Sequence, residues 1–424
     1  KKFHNIAGSI IILDEVQNIP VEYWDLVNRV LQGLVDFLSC RVILMTATKP
    51  LLLEGNSIEL LENNESYFYK LNRVILKYQN QEKEITDDEF IEKFSKKFDK
   101  NSCLIIVNTI RKSIDIYNKI KEQLKYHGFV EYVKENEGYK KIINLDQEEA
   151  FEKIIKELLE YKKIIFYLST NIAPVQRNAR IKVLKKFMEK GGKPILVSTQ
   201  VIEAGVDLDF DVVFRDIGPL DSVVQAAGRC NRNLNLNKFG EVYLISLEKG
   251  GAENVYGKLH LFITSQLLQK DIIEEKDFFY LIKKYFPDIK ERISNESEEI
   301  FKAILKLNFY HKHLSSISKF NVIKEEGKIF NIFIELDEEA AKIKEEFVKN
   351  VANEKKIIKR KISYFQIRRK FNEYLISVKE ETIRKNFPLQ LDNFEHFFYV
   401  SHDLLNNYYD IETGYKRVGE PLIL

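Results

Sequence analysis

STQVIEAGVDLDFDVVFRDIGPLDSVVQAAGRCNRN, residues 198–233, is the stretch that decides the fold. Its last part, Gln225-Ala226-Ala227-Gly228-Arg229-Cys230-Asn231-Arg232, has the form QxxGRxxR. Positions i, i+4 and i+7 share one helix face, so Gln225, Arg229 and Arg232 are expected to project together. Two permanently charged guanidiniums beside an amide suit a polyphosphate approached from outside. Arginine is also the residue used where charge develops on a transferring phosphoryl group. A solvated arginine face is the simpler alternative, but it leaves Gly205, Asp207, Gln225 and Gly228 unexplained. The stretch reads as one half of a nucleoside-triphosphate site.

A second signal lies near the N-terminus. Ser9 to Leu13 is a short apolar run expected to be a buried parallel strand, followed at once by Asp14-Glu15-Val16-Gln17. Acidic residues at the carboxyl end of such a strand stand where open α/β sheets bind ligands. Asp14 suits Mg²⁺ held through its water shell, and Glu15 suits orientation or deprotonation of an attacking water. Arg41 to Met45 gives another strand, ending in Thr46-Ala47-Thr48.

The order DEVQ, TAT, STQVIEAGVDLD, QAAGRCNR resembles superfamily 2 helicases, whose motor is two RecA-like domains clasping ATP. DEVQ itself, His4-Asn5-Ile6-Ala7 before it, Ile19-Pro20 and Trp24 after it, and DIGPLDSVVQAAGRCNR make the chain similar to the CRISPR-associated helicases of type I interference systems. The resemblance implies ATP and Mg²⁺ as cofactors, 3′-to-5′ movement on single-stranded DNA, and recruitment by an RNA-guided surveillance complex. It places Asp14, Glu15, Gly205, Asp207, Gln225, Arg229 and Arg232 around the nucleotide. It gives Asp207 the role of sensing the nucleotide, through the ribose or an arginine. Asn108-Thr109, Ser169-Thr170 and Ser198-Thr199 match positions that hold the DNA backbone, a role small donors at strand ends can fill without reading sequence. The same residues also suit plain helix caps.

A motor of this class needs a phosphate-cradling glycine loop ending in Lys-Ser/Thr upstream of the DExx strand, and no GxxxxGK[ST] occurs in this sequence. Gly251 to Gly257-Lys258 is one residue too long and continues into Leu259. The chain opens on Lys1, just before the DExx strand. The expectation is therefore a first RecA-like domain present only as its second half, residues 1–80. By itself the polypeptide is expected not to hydrolyse ATP. The missing half is expected as a covalent segment or a separate subunit. Relatives often carry an HD nuclease, but His402-Asp403 and His311-Lys312-His313 lack the spacing of a metal-ligand set, and no nuclease is assigned.

A parallel-sheet rhythm runs through a second RecA-like domain, residues 85–250. Its strands are expected at Cys103–Val107, Lys163–Leu168, Pro194–Ser198 and Glu241–Ile245, with helices after Thr109 and from Pro174 to Gly191-Gly192. Residues 126–160 read as a polar insertion with a helical tail. Residues 251–316 read as a helical linker, with Leu259, Phe262, Ile263 and Leu267 on one stripe. Residues 317–424 read as an accessory domain with short strands near 321–336 and 408–418, closing on Tyr409 to Tyr415, which resembles the end of the relatives' C-terminal domain.

Composition fits a globular chain: 424 residues, net charge +2, 45% hydrophobic and 31% charged. No apolar run approaches the roughly 20 residues of a membrane span. Three isolated cysteines argue for a reducing, cytoplasmic setting. Residues 355–370, KKIIKRKISYFQIRRK, carry eight basic side chains and no acid. They read either as a nucleic-acid grip or as a helix burying Ile358, Ile362, Tyr364 and Phe365.

The reading is an α/β protein of RecA-like parallel sheets with flanking helices, forming part of an ATP-dependent DNA translocase of antiviral defence. A helicase acting on RNA and a non-hydrolysing binding subunit are the alternatives.

Overall fold

The structure, a computed structural model, describes residues 3–46, 57–61, 63–78, 83–97, 101–129, 148–161, 163–203, 205–234, 236, 238–292, 296–310, 316–320, 328–384, 387–391 and 397–416. Ala47-Thr48, His311 to His313 and most of the expected 126–160 insertion lie outside these residues.

The DExx strand forms and is parallel as expected, but it is not buried: Ile10 and Ile12 are exposed. β1 (Ile10–Leu13) pairs in parallel with β2 (Arg41–Leu44), Ile10 facing Arg41 and Leu13 facing Leu44. The helix Trp24–Leu38 crosses between them. Trp24 is fully buried, donating its indole N–H to the Ile19 carbonyl at 2.8 Å and packing on Phe286 at 5.1 Å between ring centroids. The Ile19-Pro20…Trp24 signature is thus a local anchor for that helix.

Eight strands form the main sheet: β3 (Val74–Lys77), β4 (Cys103–Ile106), β5 (His127–Gly128), β6 (Ile164–Leu168), β7 (Ile195–Ser198), β8 (Val212–Asp216), β9 (Gly240–Ile245) and β10 (Ile272–Glu274). Their order is β10-β3-β9-β8-β4-β7-β6-β5. Every pairing is parallel except β10 with β3. β4, β6, β7 and β8 are buried at every position, which is why they read as continuous apolar runs: helices cover both faces.

Two strands from outside residues 85–250 join the main sheet. β3 falls before residue 80, on the expected first-domain side, yet hydrogen-bonds to β9 in the second sheet. β10 comes from the expected helical linker and completes the same edge. The linker is otherwise helical, at Ala252–Tyr256, Lys258–Leu267, Phe278–Arg292 and Glu296–Leu305. The last of these packs on the Trp24–Leu38 helix, where Ser297 Oγ accepts from the Leu26 N–H at 3.3 Å. In the expected apolar stripe Ile263 is buried, but Phe262 lies outside with Arg292 over its ring.

The accessory region builds a four-stranded sheet, ordered β12 (Leu375–Lys379), β11 (Ile329–Ile334), β14 (Phe398–Val400), β13 (Leu389–Gln390). Helices Glu338–Phe347 and Ile357–Glu373 pack on it through Phe333, Phe347 and Phe371. A last hairpin, β15 (Tyr409–Asp410) and β16 (Gly414–Tyr415), turns back onto the main sheet. Among the described residues no helix is long and apolar enough to cross a membrane.

Candidate active site

A cavity of about 570 Å³ opens between the β1 carboxyl end and the second sheet, lined by Glu15 on one side and by Gly205, Asp207, Gln225, Arg229 and Arg232 on the other. Six of the seven sequence-predicted nucleotide residues therefore line one space, although about two hundred positions separate Glu15 from the rest. Asp14, the seventh, is not among the lining residues; it is exposed, its carboxylate accepting the Glu15 backbone N–H at 2.9 Å.

The DEVQ segment is a short relay. Glu15 takes a left-handed backbone, φ 51°, which turns the chain out of the strand. Gln17, buried, donates to the Glu15 carboxylate and accepts from the Thr46 hydroxyl at 2.6 Å. Met45 N–H bonds to the Leu13 carbonyl at 2.8 Å, so the β1 and β2 ends carry both acid and hydroxyl. Sequence reasoning quoted Gln17 without a role; its spacing from Glu15 was the available signal.

The arginines are positioned otherwise than by a helix face. The helix Leu220–Ala227 ends at Gly228. Cys230 then pairs with Phe210: the Phe210 N–H bonds to the Arg229 carbonyl and the Asn231 N–H to the Phe210 carbonyl. Burial of Cys230 and Asn231 against that bridge stops the helix that local propensity favours. Gln225, Arg229 and Arg232 still line one cavity, brought there by a helix end and a turn.

Arg229 braces the neighbouring loop. Its guanidinium donates to the Glu203 and Val206 carbonyls, at 2.5 Å for the latter. Burial lowers the pKa of Arg229, the Arg232 charge adds to the lowering, and Asp207, Glu15 and Glu203 oppose it. An arginine remains charged under such shifts. Arg232 pairs with Asp207 at 3.2 Å, both side chains solvent-exposed. Gly205 stands between these contacts at φ +73°, a left-handed position that glycine fills without strain.

Behind the cavity wall lies a buried polar cluster that the sequence reading missed. Arg215 is fully buried in β8 and meets Glu203 at 3.0 Å, the Asn108 amide oxygen at 2.6 Å, the Ser222 hydroxyl at 2.8 Å and the Tyr256 hydroxyl at 2.9 Å. Asn108 also donates to the Asp216 carboxylate at 2.7 Å. Burial raises the Glu203 pKa against the pull of Arg215, and pushes Asp216 up to about 6. A charge inside the apolar run Val212-Val213-Phe214-Arg215 was the signal for it. Arg73, which also lines the cavity, had no comparable signal; it pairs with Glu275 and donates to the Arg232 carbonyl at 3.1 Å.

The six strand-end residues divide. Asn108, Ser169, Ser198 and Thr199 are buried. The Ser169 hydroxyl accepts from the Asn171 N–H and that of Ser198 donates to the Thr199 carbonyl. Thr109 caps its helix, accepting from the Lys112 N–H at 3.2 Å, and is half-buried, while Thr170 is exposed. Of the six, Thr109 and Thr170 are the two that are not buried. The expected His402-Asp403 pair is exposed in a short 3₁₀ turn.

Residues 99–235 match the family described as "CRISPR-associated nuclease/helicase Cas3, C-terminal". The CRISPR-associated nuclease/helicase Cas3 of Haloferax volcanii is 27% identical over 311 residues, 60% of this chain and 33% of that protein. A putative Cas3 of Methanocaldococcus jannaschii is 25% identical over 359 residues, 77% of this chain and 41% of that one. In fold, the chain matches T. fusca Cas3 crystallised with AMPPNP, with a TM-score of 0.57, 14% identity, and coverage of 93% of this chain and 51% of that one. A chain of a pre-nicking CRISPR RNA-guided surveillance complex matches with a TM-score of 0.55 and 13% identity, over 93% of this chain and 54% of that one. The chain thus spans between a third and about half the length of these proteins.

Proposed function

We propose that this chain, which belongs with the Cas3-type CRISPR-associated helicases, forms one ATP-binding cleft and one strand-binding edge of a single-stranded-DNA translocase. The observation that carries the reading is the cavity uniting Glu15 with Gly205, Asp207, Gln225, Arg229 and Arg232. Its volume of about 570 Å³ falls in the range of small-molecule sites.

The residues present fit a nucleotide triphosphate with its cation. Arg229 and Arg232 offer two fixed positive charges to phosphate oxygens, and Gln225 an amide beside them. Asp14 would hold Mg²⁺ through its water shell, and the bound cation would supply charge neutralisation at the phosphoryl group. Glu15 orients the attacking water, and Gln17 fixes the Glu15 carboxylate against Thr46. Arg229 exchanges the Glu203 and Val206 carbonyls for phosphate, which couples the Gly205–Asp207 loop to the nucleotide. Thr109 and Thr170 hold the DNA backbone along the sheet edge.

β1 and β2 form a two-stranded sheet on which Ile10 is 67% and Ile12 59% exposed. Two short strands with an uncovered apolar face do not make a stable layer. This supports a further segment or subunit that covers them and supplies the phosphate loop. Recruitment by an RNA-guided surveillance complex belongs to the same proposal, as does a cytoplasmic setting, in keeping with three free, buried cysteines.

The test is ATP hydrolysis by the full-length native protein with single-stranded DNA or RNA of one sequence. Stimulation by DNA supports the reading. Stimulation by RNA alone, or by neither strand, overturns it.

A further inference from the structure

The helix Ile357–Glu373 has two faces of different chemistry. Ile367 and Phe371 are buried, and Tyr364 packs beside them, 6.4 Å from Phe347 and 6.2 Å from Phe371 between ring centroids. The opposite stripe, at three- and four-residue spacing, holds Ile358, Ile362 and Phe365, exposed by 74%, 54% and 75%. Of the four residues expected in the core, only Tyr364 turns inward. Lys359, Lys361, Arg368 and Arg369 surround the stripe, and among the described residues none of them pairs with a carboxylate. Exposed apolar side chains in a row, rimmed by charge, mark a binding surface.

The surface opens into a groove of about 560 Å³ walled by Phe365, Arg368, Arg369, Asn372 and Glu373 on this helix and by Pro174 across from it. Pro174 begins the helix that follows β6, four positions after the exposed Thr170. The groove therefore lies between the accessory helix and the start of the helix that leaves β6. The β15–β16 hairpin holds the two parts together. Asn171 donates to the Thr413 and Tyr415 carbonyls at 2.8 Å each, and Arg180 donates to the Glu412 carbonyl at 2.7 Å.

We infer that Phe365, Arg368 and Arg369 form an accessory subsite for a single-stranded nucleic acid, in which Phe365 stacks on a base and the two arginines bind phosphates on its path away from Thr170. The argument is charge complementarity joined to an uncovered aromatic: guanidiniums at helical spacing meet phosphates, and a flat exposed ring meets a base of any identity. An acidic protein segment satisfies the charges but leaves the ring without a partner of matching shape. The inference rests on the strand-translocating reading above.

The experiment is titration of a labelled oligothymidylate into the full-length native protein, without nucleotide, across a range of salt. The variants are Phe365→Ala and the double variant Arg368→Gln/Arg369→Gln. Phe365→Ala weakens binding about tenfold, the size of one lost stacking contact. The double variant lowers the slope of log affinity against log salt by about 1.4, at roughly 0.7 for each phosphate contact. Strand-independent ATP hydrolysis and thermal midpoints stay as in the parent, since all three side chains are exposed. Unaltered affinity and slope in variants of a strand-binding parent overturn the subsite alone and leave the translocase reading standing. A parent that binds no strand overturns both. Equal competition by polyglutamate and by oligothymidylate marks a dock for acidic protein and also overturns the subsite.

Discussion

Arg215 and Glu203 meet at 3.0 Å inside the protein, with 0% and 8% of their side chains exposed. The pair joins β8 to the loop that carries Gly205 and Asp207, directly behind the cavity wall. Ser222 donates to the same Glu203 carboxylate at 2.8 Å, so the helix leading to Gln225 shares the anchor.

Removing one partner leaves a buried charge without its counter-ion. Arg215→Met is expected to destabilise the fold by about 3–5 kcal/mol. Chemical denaturation checks this, and a loss under about 1 kcal/mol, the size of an exposed pair, contradicts it.

Asp216 carries a pH signature. Burial lifts its carboxyl from 3.8 to about 6, so the folded state binds its proton more tightly than the unfolded chain. That contribution is fully present below about pH 4 and is lost as pH rises through 6, on the order of 3 kcal/mol at most. Asp216→Asn is expected to flatten the fall in stability between pH 4 and 6, measured by denaturant titration at each pH; an unchanged slope counts against the assignment.

Gln17 holds the Glu15 carboxylate and does not itself line the cavity. Gln17→Ala is expected to lower kcat for ATP about tenfold or more, with strand affinity unchanged, because a loosened base loses part of the gain from positioned proton transfer. Gln17→Glu, which cannot donate an amide N–H, is expected to fail likewise. Steady-state kinetics beside a strand-binding titration separates this from misfolding.

At Gly414, φ +89°, an added Cβ lies 2.2 Å from the Asn171 carbonyl oxygen. Gly414→Ala is expected to unseat the hairpin at a cost of about 1–3 kcal/mol, combining left-handed strain with the clash. Limited proteolysis is expected to release the accessory domain sooner in the variant; identical digestion rates contradict the clamp.

The strand–helix rhythm of the main sheet was legible because its central strands are apolar on both faces. β3 was not: Val74-Ile75-Leu76 reads as any short apolar run, and only its pairing with β9 assigns it to the second sheet. The QxxGRxxR residues were found by spacing, yet the reason given failed, since the bridge from Cys230 to Phe210 is a long-range contact that no local pattern announces. For Asn108, Ser169 and Ser198 the residue type pointed outward to DNA, while burial turns these side chains to the protein itself. In the helix Ile357–Glu373 basic residues occur on several sides, so periodicity could not tell Tyr364, packed inward, from Phe365.

The central claim is that Arg229 faces the transferred phosphoryl group across the cavity from Glu15. The most direct measurement is ATP turnover, with saturating single-stranded DNA, by the full-length native protein and its Arg229→Ala variant, each checked for strand affinity. The account predicts a fall in kcat of about a thousandfold or more, the range of an arginine acting on phosphoryl transfer, with DNA affinity held within about twofold. Undiminished turnover in Arg229→Ala contradicts it.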